Sequence, residues 1–440
     1  MSTIAVKFGG SSLASAEQII KAAAILRADP ARRYVVVSAP GKREGEDAKV
    51  TDLLIHCQEL ARAGRDFATP LEKVAQRFAG IVRGLDVQFD LMAEIKALKE
   101  RLETDPDRDF MVSRGEWLNA RIIAEYLGWT FIDATELVFF REDGTLDADK
   151  TYRVTEKRLE RTEHAVIPGF YGAMPDGAVR TFSRGGSDVT GSIIARAINA
   201  RLYENWTDVS GLRAADPRLV DNPRVIDYIT YTELRELSYM GASVLHEDAI
   251  FPVRAAGIPI NIRNTNCPGD PGTMIVPEFR GGIRRRTVTG IAGRKGFSGI
   301  VVEKSMMNAE VGFGAKLMQV FADNGLPFEH CPTGIDTMSV IVSTEEFTRR
   351  KEQVIAGIRR ALDPEIISVN DGLALIAVVG QGMVYSRDTA ARLFTAIAAA
   401  GVDVRLIDMG SGGLNIIIGV DEADYEKTVQ VLYRETEALM

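Results

Sequence analysis

The sequence predicts an α/β protein: a sheet assembled from βαβ units, followed by a pair of ferredoxin-like βαββαβ modules. Three observations carry the prediction. The chain opens on an apolar run, a helical repeat and a second apolar run at βαβ spacing. Further along, glycines again stand directly before a helical pattern. The C-terminal third repeats itself at a fixed offset.

Ile4 to Phe8 reads as a strand. Ser15 to Ala28 reads as a helix, with Ser15 and Gln18 as a capping box and Ile19, Ala23 and Leu26 on one face. Tyr34 to Ser38 is β-branched and apolar, suited to a buried parallel strand, and it ends in the turn Ala39-Pro40-Gly41. Residues 71–110 read as helical decoration on the first domain, because Leu91, Ile95, Leu98 and Leu102 recur at helical spacing. After Gly185-Gly186, Val189, Ile193 and Ala197 mark another helix. In the last third, Leu317, Phe321 and Gly325 match Leu393, Ile397 and Gly401 at an offset of 76, and the same offset carries Val340-Ile341-Val342 onto Ile416-Ile417-Ile418. Each copy reads strand, helix, strand, strand, helix. Gly281 to Arg286 reads as the linker. The expected domains are therefore 1–285, 286–370 and 371–440.

A chain of 440 residues exceeds what one core usually holds. Its 46% hydrophobic and 26% charged residues are those of an ordinary globular protein. A net charge of −8 argues against nucleic acid as a partner. Cys57, Cys267 and Cys331 stand far apart without a CxxC, so neither a disulfide framework nor a zinc site is expected. The start lacks the features of a signal peptide, and no run approaches the ~18 apolar residues of a membrane span. The expectation is a cytoplasmic protein with no membrane partner.

Four stretches could carry chemistry. In Lys7-Phe8-Gly9-Gly10-Ser11-Ser12 a lysine ends a strand beside bare backbone, which suits an anion, although such glycine-serine runs are more often plain turns. There is no P-loop and no GxGxxG/A. Ser183-Arg184-Gly185-Gly186-Ser187-Asp188 offers a guanidinium for a carboxylate and an acid at a helix start, against the blander reading of Ser187 or Asp188 as a cap. Asn205-Trp206-Thr207-Asp208 with Arg213 and Asp216-Pro217-Arg218 could meet a nucleotide, or be a charged surface loop. In Ser113-Arg114-Gly115-Glu116 the glutamate could hold an ammonium group, but locally a glutamate at a helix start is the simpler reading.

In this order, together with the paired C-terminal modules, these stretches resemble aspartate kinase over nearly the whole chain, in the form that carries two C-terminal ACT domains and no fused homoserine dehydrogenase. The resemblance implies the amino-acid-kinase fold, a mainly parallel sheet between helices, with 1–285 as the catalytic domain. It implies phosphoryl transfer from ATP to L-aspartate, the committed step toward lysine, threonine and methionine. Mg2+ would bridge the ATP phosphates, with few direct protein ligands and no residue singled out as one. Lys7 and Asp188 would be catalytic. Thr51, Glu116, Arg184 and Ser187 would bind aspartate. Lys7, Phe8, Gly9, Gly10, Ser11, Thr207, Asp208, Arg213 and Arg218 would bind ATP. Many members carry Lys where Ser243 stands and Tyr where Arg213 stands, both in the nucleotide region.

The resemblance also implies regulation by an amino-acid effector, lysine first and threonine second, through Met307, Gly312, Phe313, Gly314, Glu329 and Thr333. Glu329 would pair with a lysine amino group. Arg405, at the matching offset in the second copy, would repel one. A homodimer through the ACT-like modules is expected. The rival readings are a glutamate or acetylglutamate kinase of the same fold, and a catalytically inactive amino-acid sensor.

Overall fold

In the computed structural model, which describes residues 3–43, 47–183, 185–242, 245, 247–279, 286–410 and 412–440, the opening apolar run is strand β1 (Ile4–Phe8), buried at every position. The chain divides into two units. The first comprises residues up to Leu212, Val225–Thr232 and 243–280; the second comprises Arg213–Arg224, Glu233–Ala242 and 281–440. A single cut near residue 285 therefore misses two short segments that fold with the C-terminal part.

In the first unit, helix α1 (Ala16–Arg27) follows β1 and leads to β2 (Arg32–Val37). Half of the expected capping box forms. Ser15 Oγ accepts from the Gln18 backbone N–H at 3.4 Å, but the Gln18 side chain donates to Asn266 Oδ1 at 3.0 Å instead of returning to Ser15. Four helices come next: α2 (Val50–Arg62), α3 (Ala68–Leu85), α4 (Leu91–Thr104) and α5 (Arg108–Leu127). Then come β3 (Thr130–Phe131), α6 (Ala148–Leu159), β4 (Ala165–Pro168), the hairpin of β5 (Tyr171–Ala173) and β6 (Val179–Thr181), α7 (Gly186–Ala197) and β7 (Leu202–Thr207). The last are β8 (Tyr228–Thr230), α9 (Glu247–Ala255), β9 (Ile260–Asn264) and β10 (Thr273–Val276); α8 (Tyr231–Tyr239), which follows β8 in the chain, falls in the second unit from Glu233 onward.

Eight strands form one sheet in the order β3-β4-β2-β1-β7-β9-β10-β8, parallel throughout except between β9 and β10. Strand alternation separates the two faces. Val35 and Val37 join a core built with α1 to α5, while Tyr34 and Val36 join one built with α6, α7 and α9. Helices α3 and α4 are more than decoration. Their Leu71, Val74, Phe78, Ile81, Leu91, Ile95, Leu98 and Leu102 lie in the same buried cluster as Ile4, Val6 and Phe8.

The second unit holds β11 (Gly290–Glu303), α10 (Phe313–Asp323), β12 (Thr337–Ser343), α11 (Thr344–Thr348), α12 (Lys351–Leu362), β13 (Ile366–Val379), α13 (Thr389–Ala399), β14 (Val404–Asp408), β15 (Asn415–Asp421) and α14 (Tyr425–Thr436). One antiparallel sheet runs β12-β11-β13-β15-β14. Its two long strands are shared. Phe297–Glu303 pairs with β12, whereas Gly290–Arg294 pairs with Leu375–Val379. The second module thus takes its fourth strand from upstream of the first, and the modules interlock rather than follow one another. That is why each copy reads strand, helix, strand, strand, helix with no strand after α14.

The repeat is real but not uniform. Helices α10 and α13 start 76 residues apart, while β12 and β15 start 78 apart. Ile300 faces Val340 and Ile376 faces Ile418, so the second copy carries a turn two residues longer before its third strand. In the first copy the segment matching β14 is reduced to the bridges His330–Ile341 and Thr333–Met338. All but Arg286 of the expected linker lies outside the described residues.

Candidate active site

Strand order reverses at β1, which has β2 on one side and β7 on the other. In open parallel sheets a ligand crevice forms beyond the carboxyl ends of strands at such a point. Lys7 stands there, one residue from the end of β1 and only 7% exposed. Its Nζ lies 2.6 Å from Asp188 Oδ1. Asp188 occupies the first turn of α7, where the helix dipole favours a carboxylate. The helix begins at Gly185, whose φ of 57° is left-handed and suits glycine. Asn205, opposite Lys7 in the parallel register of β7, closes the group. Its Nδ2 donates to Asp188 Oδ1 at 2.8 Å and its Oδ1 accepts from Lys7 Nζ at 3.4 Å.

The turns after β1 and β2 cross in van der Waals contact. Gly41 N–H donates to Gly10 carbonyl at 2.8 Å, and a Cβ on Gly41 would sit 2.6 Å from the Gly10 carbonyl carbon. Only glycines allow that approach. They form one wall of a cleft of about 1030 Å³. Ser11, Thr51, Glu116 and Asp208 also line it, and Lys21, Lys42, Arg43 and Lys49 make much of its rim cationic. This chemistry suits a polyphosphate.

Glu116 lies in the middle of α5, on a buried face with Ser113, Arg114 and Asn119, so it is not a helix-start residue. It is 5% exposed, and among the described residues its Oε2 has no hydrogen-bond partner. Burial pushes its pKa up to about 8, only partly offset by the Ala39 backbone and the Arg114 charge. A buried carboxyl with an unpaired oxygen beside a cleft fits a cationic ligand group. Arg114 itself is occupied: it bonds Ser113 Oγ at 3.0 Å and lies over Phe110, Trp117 and Tyr171.

The other expected residues are placed as follows. Ser187 sits in the first turn of α7, packed against Gly169. The Phe8 ring is 1% exposed and stacks on Trp206, leaving only its backbone for a ligand. Gly9 is bound through its N–H to the Trp206 carbonyl, so that donor is already used. Thr207 donates to Asp208 at 3.1 Å, and Asp208 is exposed. Arg213 and Arg218 belong to the second unit, where Arg213 donates to the Pro223 carbonyl and Arg218 clamps Asp216 at 2.6 Å. Arg184 and Ser243 lie outside the described residues.

Two residues with evident roles were given none by the sequence. Asn205 is one; it opens the stretch that runs to Arg218, and with Glu204 it is one of two buried polar residues in the middle of β7. Arg77 in α3 is the other. It is 5% exposed, donates to the Gly41 carbonyl at 2.8 Å and the Ala48 carbonyl at 3.1 Å, and pairs with Asp47. It thus holds Gly41, which lines the cleft, together with Asp47 and Ala48.

In the second unit, Met307 and Phe313 are buried, Gly312 starts α10 at a φ of 85°, and Gly314 follows in its first turn. Thr333 lines a separate cleft of about 730 Å³ together with Asp371, Arg405 and Asp421. Glu329 already has partners, Arg294 at 3.3 Å and the Tyr239 hydroxyl. Arg405 is bonded to Asp421 at 2.8 Å, which offsets the charge expected to repel a cation.

The chain is similar to known proteins along nearly its whole length. The amino acid kinase family matches residues 2–264, and an ACT domain matches residues 376–436. Aspartokinase 3 of Bacillus subtilis is 40% identical over 98% of this chain and 98% of its own. The crystal structure of Clostridium acetobutylicum aspartate kinase superposes with a TM-score of 0.88 at 44% identity, covering 99% of this chain and all of that one. Escherichia coli aspartokinase III, solved with aspartate and ADP, shares the fold with a TM-score of 0.75 at 22% identity, over 98% of this chain and 99% of its own.

Proposed function

We propose the reaction from a plain premise: the chain belongs to the amino acid kinase family, on its aspartokinase branch. It is an ATP-dependent kinase that phosphorylates the side-chain carboxylate of L-aspartate, giving ADP and 4-phospho-L-aspartate. A carboxylate oxygen attacks the γ-phosphorus, the bond to the bridging oxygen breaks, and ADP leaves with that electron pair. The attacking group carries no proton, so no general base is required. Asp188, already bound to Lys7, is therefore an orienting group, and Lys7 offsets charge on the phosphoryl oxygens in flight.

The observation that carries the reading is Glu116. Its unpaired, buried oxygen beside the cationic cleft supplies the site for the substrate ammonium. Thr51 and Ser187 complete the aspartate site, with Arg184 for a substrate carboxylate. Ser11, Thr207, Asp208 and the bare backbone of Gly9 and Gly10 would meet the nucleotide, Gly9 by close approach because its N–H is bound to the Trp206 carbonyl. Arg213 and Arg218 have partners of their own, and the proposal does not rest on them. Among the described residues no group of three His, Cys, Asp or Glu is placed to hold a metal. Magnesium fits through the ATP phosphates, where it would neutralise charge.

The second unit is proposed as the seat of feedback control, with lysine the first effector and threonine the second. A homodimer through this unit is part of the proposal, supported by Met306, Val311 and Ile335, which are 70%, 95% and 70% exposed. The enzyme would work in the cytoplasm, where ATP and aspartate meet; no described helix is long and apolar enough to cross a membrane. The test is an acyl-phosphate trap. Protein, ATP, magnesium and hydroxylamine are supplied with aspartate, glutamate or acetylglutamate in turn. Hydroxamate from aspartate alone is expected, and preference for either other substrate contradicts the reading.

A further inference from the structure

We propose that Asn205 is a positioning residue for phosphoryl transfer, holding the Lys7 ammonium and the Asp188 carboxylate in one orientation. The inference rests on the kinase reading above. Three side chains from three elements meet in a closed triangle. Lys7 Nζ touches Asp188 Oδ1 at 2.6 Å, Asn205 Nδ2 donates to that same oxygen at 2.8 Å, and Asn205 Oδ1 accepts from Lys7 at 3.4 Å. The amide suits both neighbours: its donor meets the anion and its acceptor meets the cation. Asn205 is 3% exposed and is fixed by the register Lys7–Asn205 across β1 and β7. On its other side β9 presents Ile262 at the matching register, and the Tyr203 hydroxyl donates to the Asp188 carbonyl at 3.3 Å, so Lys7 and Asp188 are the charges this amide meets.

The consequence is geometric. An ammonium has three N–H donors. Asp188 takes one and Asn205 a second, which leaves the third for a phosphoryl oxygen. Gly9 lies beside the ammonium: a Cβ there would stand 3.5 Å from Lys7 Nζ, in contact with it. With the ion pair alone, the ammonium could rotate about its single bond to Asp188 and lose its aim. Positioning of this kind acts on the chemical step rather than on ground-state binding.

Two variants test it. Asn205→Leu keeps the branched shape and removes both bonds. It should lower kcat about tenfold or more, the scale of hydrogen bonds to charged groups, with KM for ATP and for aspartate within about twofold of wild type. Asn205→Asp places a second carboxyl against Asp188. Two carboxylates this close resist ionising together, and only the protonated one can donate as the amide does. Its kcat relative to wild type should therefore rise as pH is lowered. Thermal melting identifies folded protein, and should Asn205→Leu fail to fold, Asn205→Asp decides. A folded Asn205→Leu with wild-type kcat, or one altered only in KM, overturns the inference, as does a pH-independent kcat ratio for Asn205→Asp. Those results leave an active wild type and the kinase reading intact, whereas a wild type inactive with aspartate overturns both.

Discussion

Glu116 makes the sharpest predictions at the scale of single residues. Its folded pKa of about 8 lies above the ordinary 4.5, so the unfolded chain gives up its proton at lower pH than the folded one. This group therefore costs no stability below the ordinary value, destabilises progressively as pH rises through the interval, and reaches its full cost above about 8. Substrate binding has the opposite preference. An ammonium group wants the ionised carboxylate, so aspartate must expel the proton below pH ~8, and its KM should climb as pH falls, by at most about tenfold per unit. Glu116→Gln should raise that KM and abolish this part of the pH dependence, which steady-state kinetics between pH 6 and 9 will read. Lys7→Ala and Asp188→Ala should each cost at least about a hundredfold in kcat with the fold retained. Near-normal kcat in either would remove the pair from the phosphoryl site.

Whole elements explain why these residues meet. The parallel register of β1 and β7 brings Lys7 to Asn205, and α7 starts where a left-handed glycine turns the chain toward both. Helix α3 contributes through Arg77, whose guanidinium holds Gly41, Asp47 and Ala48. Arg77→Met should free these residues. Trypsin should then cut after Lys42, Arg43 or Lys49 markedly sooner than in wild type, and KM for substrate should rise more than kcat falls. Equal cleavage rates would mean that these residues are held by other contacts. Much of this was legible in the sequence. The first strand, the helix after it and the helix spanning 91–102 follow from apolar spacing, which is a local property. Asn205 and Arg77 were not legible, because their partners lie 198 and 36 residues away and no local pattern encodes those meetings. Glu116 was half legible: its motif was visible, but only the depth of α5 shows that the carboxyl is buried.

At the scale of the molecule, the repeat could be read but its interlocking could not. The constant offset predicted two modules in tandem, yet Gly290–Arg294 pairs with Leu375–Val379, a choice made by sheet register over 80-odd residues rather than by composition. Segments Arg213–Arg224 and Glu233–Ala242 likewise fold with the second unit although they sit within the catalytic range of the sequence. Regulation is predicted at this level. Lysine should inhibit, as differential affinity for a less active arrangement rather than as blockage of the cleft. Glu329→Ala should relieve that inhibition with little change in uninhibited kcat. Inhibition curves for lysine and threonine on both proteins decide, and a wild type insensitive to both contradicts the regulatory reading alone. The central claim is narrower: this cleft holds an amino acid by its ammonium group on Glu116 and phosphorylates its side-chain carboxylate. The most direct measurement is hydroxylamine-trapped product from ATP and L-aspartate, titrated in parallel for wild type and Glu116→Gln with the hydroxamate position identified. The account predicts saturable formation of the side-chain hydroxamate by wild type and a strongly raised aspartate requirement in the variant. No hydroxamate from wild type, hydroxamate at the α-carboxyl, or identical saturation curves would contradict it.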